Sequence, residues 1–530
     1  MGANVIRGID RRRFLATGAA AVIGAGVATR ATALAPADVP PGGALRSKAP
    51  LPRPYQVPLP IPPAPRPLQT AGGTDTFQIV QREAKLEILP GLRTTCWTYN
   101  GTFPGPTIIS RSGRRTVVRH RNELSQPTVV HLHGGHTPQD SDGYPIDLTM
   151  PVNSRLSVED AMAGMDDMGE THGNIAYGER TYTYPMQQRA STMWYHDHRM
   201  GYTGSAVWHG MAGFHLLTDD EDEALALPRG ERDIPLMIVD RAFEADGSLM
   251  YPGDPNMHSP GVSRNHTAGV QGDVILVNGA PWPVHRVQRG RYRLRLLNGS
   301  NVRYFKLALD PPPPGGKGLV QIGSDGGLLE RPLRHDTLRL APGERFDIVV
   351  DFSRYRPGTK VRVLNRFGSR TTADVMRFDV SPSTRAVHDD ARVPDRLALR
   401  AESVLDPAKA VATRTFEFRH SGRAGWTING EAYRPGRSLT RAKLGTTEIW
   451  RFKSVFFHSI HVHLDPFRVV SRNGKAPGPF DHGWKDTIAM GPGETVDVAV
   501  RFTDYTGHFM LHCHNLEHED MAMMADFSTY

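Results

Sequence analysis

The sequence predicts an all-β protein built from three similar β-sandwich units in a row. Short runs rich in Val, Ile, Phe and Thr alternate with turns of Gly, Pro, Asn and Asp, and no long segment has helical periodicity. The run that starts at Pro342-Gly343 returns at Pro492-Gly493, each time followed by apolar residues at every second position. An Asn-Gly turn also opens each unit, at residues 100–101, 278–279 and 429–430. Self-similarity at a spacing of roughly 150 to 180 residues indicates repeated domains rather than a solenoid.

The first 35 residues have the composition of an export signal. Arg11-Arg12-Arg13 precede a weakly apolar stretch from Ala16 to Ala28, and small residues around Ala33 are typical of a cleavage site. We therefore predict a twin-arginine signal peptide over residues 1–35 and a location outside the cell or in the cell envelope. A stretch of about 13 Ala/Gly-rich residues is too short for a membrane core, which needs roughly 20, and no other segment is long and apolar enough.

The net charge does not indicate a nucleic-acid partner. The chain carries a formal charge of +8 and has a pI of about 9.4. Residues 1–35 hold five arginines against Asp10 alone, so the predicted signal contributes half of that charge. No basic run or aromatic-interleaved basic patch remains in the rest of the chain, and we expect neither nucleic acid nor a membrane span.

Residues 36–70 are expected to form a Pro-rich linker or a strap along the body, because about a dozen prolines stand among few large apolar side chains. The three β-sandwich units are then placed at residues 71–220, 230–382 and 400–530. A chain of 530 residues agrees with about three domains of ordinary size.

Four His-x-His pairs stand out in the sequence, where about one is expected by chance. Because residues i and i+2 of a strand share a face, each pair projects two imidazoles from one side. Two pairs fall in the first unit and two in the third, whereas the middle unit has none and carries Asn298-Gly299-Ser300-Asn301 in the corresponding stretch. The pairs are His131 and His133, His196 and His198, His461 and His463, and His512 and His514.

The same alternation predicts a second metal site on the opposite face. Cys513 lies between two histidines and must point away from them, and His458 falls opposite His461 if the strand extends that far. One face then offers eight imidazoles, while the other offers a thiolate and an imidazole. Adding His518 and Met523 gives two His, one Cys and a thioether, the ligand set of a blue copper site. Zinc is the alternative to copper at this site, but zinc rarely uses methionine as a ligand.

Several nearby residues receive other interpretations. Met521 and Met524 stand close enough to Met523 to leave the axial ligand open. Cys96 is expected to be a buried free thiol that acts as a small hydrophobe, so no disulfide with Cys513 is predicted. The remaining histidines are interpreted as surface residues or as supports of the ligands, which applies to His136, His172, His209 and His482.

The motifs HLHGG, WYHDH, HSIHVH and HCHNLEHEDMAMM resemble those of the multicopper oxidase family. Within it, HLHGGHTPQDSDGYP and GSDGGLLERP resemble the bacterial spore-coat laccases, bilirubin oxidases and phenoxazinone synthases. The resemblance runs from about residue 75 to the end. It implies three consecutive cupredoxin-like Greek-key domains and four copper ions, one of type 1, one of type 2 and two of type 3.

The resemblance also implies a role for each ligand. It assigns the type 1 copper to His458, Cys513, His518 and Met523, and the type 2 copper to His131 and His461. The first type 3 copper falls to His133, His196 and His514, and the second to His198, His463 and His512. Asp142 and Glu519 match positions that deliver protons, although each could instead be an ordinary supporting acid. The middle unit would hold no copper and act as a spacer.

The function implied by the resemblance is a laccase-like oxidase with dioxygen and a small aromatic reducing substrate as partners. Four one-electron oxidations would be coupled to reduction of dioxygen to two waters. Aminophenol coupling of the phenoxazinone synthase type is an alternative within the same mechanism. A cuprous oxidase is another, since Met162, Met165 and Met168 could capture Cu(I), although one apolar face of a short helix explains them more simply. A copper-free binding scaffold is the remote alternative, and it predicts lost ligands.

Overall fold

The computed structural model describes residues 43–162, 173–254, 260–383, 391–398 and 405–530. The predicted signal peptide, Met165, Met168 and His172 lie outside these ranges. Strands make up 45% of the structure and helices 9%, which confirms the all-β class.

The first pair of sheets is built within residues 69–218. One sheet has the order β1-β2-β5-β9, with β3 also on β2, and the other has the order β4-β11-β10-β6; β7 and β8 pair separately. The strands are β1 (Gln69–Ala71), β2 (Thr74–Leu86), β3 (Thr94–Tyr99), β4 (Gly105–Arg111), β5 (Arg115–Asn122), β6 (Val130–His133), β7 (Thr149–Met150), β8 (Ala176–Tyr177), β9 (Glu179–Tyr184), β10 (Ser191–Asp197) and β11 (Ala212–Thr218).

The second pair of sheets occupies residues 233–380. A seven-stranded sheet has the order β14-β13-β12-β16-β21-β18-β19, and a five-stranded sheet has the order β15-β23-β22-β17-β20. The strands are β12 (Asp233–Arg241), β13 (Val274–Val277), β14 (Ala280–Pro281), β15 (Val284–Val287), β16 (Arg291–Asn298), β17 (Phe305–Asp310), β18 (Leu319–Ser324), β19 (Gly327–His335), β20 (Thr337–Leu340), β21 (Arg345–Asp351), β22 (Lys360–Asn365) and β23 (Asp374–Val380).

The third pair of sheets is built within residues 413–529. Both sheets have five strands, in the orders β25-β24-β27-β31-β29 and β26-β33-β32-β28-β30. The exact limits of the three units stay a prediction. The strands are β24 (Thr413–His420), β25 (Trp426–Ile428), β26 (Ser438–Ala442), β27 (Thr447–Ser454), β28 (His458–Val462), β29 (Arg468–Arg472), β30 (Thr487–Met490), β31 (Thr495–Arg501), β32 (Gly507–Cys513) and β33 (Met524–Thr529).

The helices in the described ranges are short. The α-helices are α1 (Val158–Ala161), α2 (Thr203–His209), α3 (Asp220–Ala224) and α4 (Leu516–Asp520). The 3-10 helices are Gln139–Ser141, Gly230–Arg232, Arg264–His266, Phe352–Arg354, Arg370–Thr372, Pro407–Lys409 and Gly422–Ala424. Among the described helices, none has the length and apolarity needed to cross a membrane.

Local turn chemistry places the repeated strands as predicted. The Asn and Gly of all three Asn-Gly turns have positive φ, as the two-residue turns of hairpins require. Strands β21 and β31 both follow the repeated Pro-Gly turn. Strand β31 is half-buried, but β21 is buried over nearly its whole length, because its polar face packs against the first unit instead of water.

The Pro-rich segment before β1 runs as a strap along the middle unit. The amide of Leu45 donates to Gln271 O over 2.8 Å, and the amide of Leu59 donates to Val284 O over 2.9 Å. Proline lacks an amide donor, so the segment stays extended and bonds only at intervals. The strap therefore lengthens the contact surface of the middle unit without adding a full strand.

Candidate metal centre

Eight imidazoles converge where the ends of strands from two sheets meet, one sheet from the first unit and one from the third. In the first unit β10 pairs antiparallel with β6, which sets His196 beside His131. In the third unit β28 pairs antiparallel with β32, which sets His461 beside His512. Each His-x-His pair starts on a strand and three of the four end just past it, so the side chains project from the ends of both sheets.

The eight imidazoles form three subsets whose ring nitrogens lie within metal-binding range. The Nε2 atoms of His131 and His461 are 3.4 Å apart. Two triads have all three ligand atoms within 4.8 Å of one another: His133, His196 and His514, and His198, His463 and His512. The structure therefore brings together the sets to which the sequence resemblance assigned the type 2 and type 3 ions.

Outer contacts determine which ring nitrogen faces inward. His131 donates from Nδ1 to the main-chain oxygen of Asp142 over 2.6 Å, and His463 donates from Nδ1 to Asp142 Oδ2 over 2.7 Å. His461 donates from Nδ1 to the main-chain oxygen of Asp486 over 2.9 Å, and His133 Nε2 lies 3.1 Å from Asp486 Oδ1. An imidazole that donates through one nitrogen presents a lone pair at the other, which is the form that binds metals.

Burial keeps the imidazoles of His131, His463 and His198 neutral. Removal from water, followed by the proximity of other imidazoles, holds the pKa of His131 and of His463 well below the usual range. Burial likewise lowers the pKa of His198 to about 4, although the carboxylate of Glu519 acts in the opposite direction. Neutral histidines do not repel one another and are ready to accept a cation.

The second site lies on the other face of β32. His458 Nδ1 is 3.2 Å from Cys513 Sγ, His518 Nδ1 is 3.7 Å from the same sulfur, and the two Nδ1 atoms are 3.2 Å apart. Burial raises the pKa of the Cys513 thiol to about 12, so a coordinated metal ion would have to displace the proton. The indole of Trp426 stacks on the imidazole of His518 at 3.6 Å between ring centroids.

The methionines near this site fall in different surroundings. Met523 is fully buried and belongs to the same apolar cluster as Cys513. Met524 instead packs with Tyr144 and Tyr433 in another cluster, and Met521 is only partly buried. Adjacent strand residues face opposite ways, so Met523 is better placed than Met524 to serve as an axial ligand.

The residues fit copper. Several inward nitrogens lack a hydrogen-bond partner in the described part of the chain: His133 Nδ1, His196 Nε2 and both ring nitrogens of His514. A buried polar atom without a partner costs about 1–3 kcal/mol, which a bound cation would relieve. A thiolate with two imidazoles and a nearby thioether is the donor set of an electron-transfer copper site, and imidazole clusters also suit copper.

Two of the buried carboxyl groups that contact the histidine cluster have a raised pKa. Asp142 accepts from His463, and burial raises the pKa of its carboxyl to about 8. Glu519 Oε2 lies 3.1 Å from His512 Nδ1, and burial raises the pKa of Glu519 as well. Asp142 lies on the loop after β6, whereas Glu519 lies in α4.

A cavity of about 470 Å³ opens beside the His131 and His461 pair. Its wall includes both of these histidines together with Trp484, Gln188 and His136. Small molecules in this cavity would be in contact with the histidine cluster.

Sequence comparison agrees with the geometry of both sites. Three family models, each described as multicopper oxidase, match residues 81–159, 247–363 and 402–530. A laccase of Bacillus stratosphericus is 34% identical over 88% of this chain and 97% of its own length. The chain belongs to the multicopper oxidases.

Other relatives of this multicopper oxidase carry the same fold and related names. The bilirubin oxidase of Albifimbria verrucaria is 33% identical over 89% of this chain and 81% of its own length. The crystal structure of a laccase from Pediococcus acidilactici Pa5930 matches with a TM-score of 0.77 at 30% identity, over 92% of this chain and 95% of that one. The chain is a laccase-like, copper-dependent oxidase of cupredoxin domains that uses dioxygen and a reducing substrate.

Several residues that build the sites of this multicopper oxidase were missed by sequence reasoning. Asp486 and Arg345 support the histidine cluster, and Trp426 stacks on His518. Trp194 stacks on His196 at 4.2 Å between ring centroids. One sequence signal pointed to Arg345. The two copies of the repeated run differ at this position, where the second copy has Thr495, and a charged residue at a position that varies between copies suggests a local role. Asp486 and both tryptophans carry no periodic signal.

Cys96 and the described histidines that the sequence analysis interpreted as surface or supporting residues lie outside both donor sets. Cys96 is buried and free, as predicted, and burial raises its pKa to about 12. His136 is buried and pairs with two aspartates, His209 is half-buried, and His482 is exposed.

Proposed function

We propose that this laccase-like oxidase holds one type 1, one type 2 and two type 3 copper ions. The observation that carries the proposal is the His512-Cys513-His514 run, in which one backbone joins the thiolate site to both imidazole triads. The ligands would be His458, Cys513, His518 and Met523 for type 1, His131 and His461 for type 2, His133, His196 and His514 for one type 3 ion, and His198, His463 and His512 for the other.

Copper supplies one-electron chemistry and the reduction of dioxygen to water when it is bound. The protein contributes a covalent path for electrons and holds the ligand side chains rigidly. Electrons that enter at the thiolate site travel along the short covalent connection from Cys513 to its two neighbouring histidines. Burial of both sites excludes water from the ligands and holds each imidazole in one orientation.

Asp142 and Glu519 are proposed to hold the protons that water formation consumes. Each carboxyl contacts the outer nitrogen of a histidine in the cluster, at 2.7 Å for Asp142 and 3.1 Å for Glu519. A carboxyl group with a raised pKa can carry a proton near neutral pH and release it when water is formed. The cavity beside His131 and His461 offers a route for dioxygen and water.

The reducing substrates are proposed to be small aromatic compounds such as phenols and aminophenols. The protein surface beside His518 is apolar and aromatic: the rings of Phe456 and His518 are 6.2 Å apart, and the next residue, Phe457, is 53% exposed. A flat aromatic reductant would stack there close to the thiolate site. Aminophenol coupling fits the same surface, and comparing phenol and aminophenol turnover would distinguish the two substrate classes.

A cuprous oxidase activity is the second candidate function. It depends on Met162, Met165 and Met168, of which the described part of the chain includes only Met162. Met162 is partly buried and packs against the apolar clusters around Ile146 and Leu148, as a structural methionine does. Deletion of residues 162–168 should abolish Cu(I) oxidation and spare phenol oxidation if this candidate is right.

Export through a twin-arginine signal is proposed from residues 1–35, whose composition supports it. Replacement of Arg11, Arg12 and Arg13 by lysine should retain the protein inside the cell. Recovery of the triple variant outside the cytoplasm in normal amounts would contradict the proposal.

The central test is the absorption spectrum and copper content of copper-loaded protein beside two serine variants. The wild-type protein should bind about four copper ions and absorb strongly near about 600 nm, and Cys513→Ser should lose that band. Cys96→Ser is the matched control, because Cys96 is also buried but belongs to neither donor set, so this variant should keep the band. A colourless wild-type protein without copper would favour the copper-free scaffold.

A further inference from the structure

The middle unit reaches the histidine cluster through one buried arginine. Arg345 stands at the start of β21, and its side chain is completely buried. Its Nη1 donates to Asp486 Oδ1 over 2.7 Å, and its Nη2 donates to Asp486 Oδ2 over 2.5 Å. The remaining N–H groups donate to main-chain oxygens of Thr192, Gly343 and Asp325. Every donor of the guanidinium is thus engaged, which holds the planar group in one position.

Asp486, which Arg345 holds in place, contacts two histidines of the cluster. Its Oδ1 lies 3.1 Å from His133 Nε2, and its main-chain oxygen accepts from His461 Nδ1 over 2.9 Å. These two rings stack at 3.6 Å between centroids. Thr487 Oγ1 donates to Asp486 Oδ1 over 2.7 Å and also lies 3.0 Å from His133 Nε2 and 3.2 Å from His461 Nδ1. Asp486 and Thr487 together occupy the outer nitrogens of both rings, which directs the lone pairs of His133 Nδ1 and His461 Nε2 into the cluster.

A second pair of charges holds the same dipeptide. Lys485, immediately before Asp486, is buried and lies 2.9 Å from Asp325 and 3.2 Å from Glu344. The middle unit therefore binds Lys485 through two carboxylates and binds Asp486 through the guanidinium of Arg345. Because the two adjacent residues are held by opposite charges, neither can shift along the chain direction without breaking one of the two contacts.

We infer that Arg345 is a positioning residue, which through Asp486 orients His461, a proposed type 2 ligand, and His133, a proposed type 3 ligand, in the copper cluster. This inference rests on the proposed function, because it takes these histidines to be copper ligands. The copper-free middle unit then takes part in building the cluster and is more than a spacer. The alternative is a salt bridge that only ties the middle and third units together.

The test is Arg345→Lys in the full-length, copper-loaded enzyme. Lysine keeps the charge but cannot engage both oxygens of Asp486 and the main-chain oxygens at once. We expect the absorption band of the thiolate site to stay unchanged, while the type 2 signal in electron paramagnetic resonance weakens or shifts. Loss of a partner behind a metal-binding histidine lowers metal affinity by about 10- to 100-fold, so a chelator should remove this copper more readily.

Arg293→Lys is the matched control. Arg293 lies in the neighbouring strand β16, is equally buried and pairs with Asp222 and Asp347, but contacts no histidine of the cluster. It should lower thermal stability and leave the type 2 signal intact. Asp486→Asn is the second variant if Arg345→Lys folds poorly, because the amide keeps the shape of the carboxylate and loses the charge that Arg345 holds.

The outcomes separate the inference from the proposed function. A type 2 signal and chelator resistance equal to wild type in both Arg345→Lys and Asp486→Asn would overturn the inference alone and leave a structural salt bridge. A wild-type protein that takes up no copper would overturn the proposed function and the inference together. A selective type 2 defect in either variant, absent from Arg293→Lys, supports the inference.

Discussion

At the scale of single residues, several histidines of the cluster depend on a partner behind them. Asp142 contacts two histidines, His131 through its main-chain oxygen and His463 through its carboxyl group. Asp142 lies on the loop after β6, Asp486 lies just before β30, and Glu519 lies in α4, so the positions of these partners depend on the surrounding fold and not on a local strand pattern. Burial also raises the pKa of the Asp142 carboxyl, as its proposed role of holding a proton requires.

Asp142→Asn should slow dioxygen reduction without removing copper. The amide keeps an oxygen that can accept from His463, but it cannot release a proton. Loss of a positioned proton donor lowers kcat by about 100-fold or more. Steady-state oxygen uptake and copper content would be measured together.

Asp147→Asn is the control for this substitution. Asp147 lies on the same loop, burial raises its pKa too, and it accepts from the amide of Asn174 instead of from a histidine. An equal loss of rate in both variants, or none in Asp142→Asn, would exclude the proton-holding role.

His136 should make folding stability depend on pH. Burial opposes its protonation, but Asp465 and Asp504, at 3.2 Å and 2.9 Å from its ring nitrogens, outweigh this and raise its pKa. A raised pKa in the folded state stabilises the protein below the unfolded value of about 6.5, and the benefit disappears as pH rises through the folded value. His136→Gln should therefore cost about 2 kcal/mol at low pH and less in alkaline solution.

Urea unfolding at about pH 5.5 and about pH 9 would measure this difference. His209→Gln serves as control, since burial lowers the pKa of His209 to about 4 and keeps it neutral at both pH values. A cost for His136→Gln that does not change with pH would refute the charged pair.

At the scale of elements, strand parity and turns decide where each ligand points. The alternation of His512, Cys513 and His514 placed the thiol and the imidazoles on opposite faces, and the structure has this arrangement. Parity needs only the local strand, so the sequence was sufficient for it. The burial of both faces of β21 was not predictable, because it depends on a neighbouring unit that packs against its polar side.

The two copies of the Pro-Gly turn give a matched pair of substitutions. Gly343 and Gly493 have φ values of 80° and 73°, so alanine is strained at both. A methyl group at residue 343 would lie 3.0 Å from His514 and 3.2 Å from His133, whereas nothing lies within 4 Å at residue 493. Gly343→Ala should therefore reduce copper content, and Gly493→Ala should not.

Both variants should also lose about 1–2 kcal/mol of stability from the left-handed backbone alone. Thermal unfolding and copper analysis of the two purified variants would separate strain from displacement of the histidines. Equal copper content in both would show that the turn of the middle unit does not constrain the cluster.

At the scale of the whole molecule, the histidine cluster lies between the first and third units. Its imidazoles come from the strands β6 and β10 and the ends of these strands on one side, and from β28 and β32 on the other, with the middle unit behind Asp486. Ligands contributed by separate units make metal binding and unit association interdependent.

Removal of copper should lower the unfolding temperature strongly. A ligand at about 1,000 times its Kd stabilises the folded state by about 4 kcal/mol. At roughly 2–4 °C per kcal/mol, this corresponds to a loss of about 10 °C. Calorimetry of copper-loaded, chelator-treated and reconstituted protein would measure it, and Cys513→Ser, which keeps the imidazole cluster, should lose less. An unchanged unfolding temperature would indicate that the units associate without the metal.

The sequence by itself determined the all-β class, the eleven histidine and cysteine residues that the structure brings into two clusters, and the face on which each of those in a strand lies, whereas the axial methionine stays a prediction. These follow from local periodicity and from ligand chemistry, which need no long-range contact. Only the tertiary structure decided that Asp486 lies behind His133 and His461, that Arg345 of the middle unit holds Asp486, and that Trp426 covers His518. These contacts join residues far apart in the chain, and packing between units, which no local pattern encodes, brings them together.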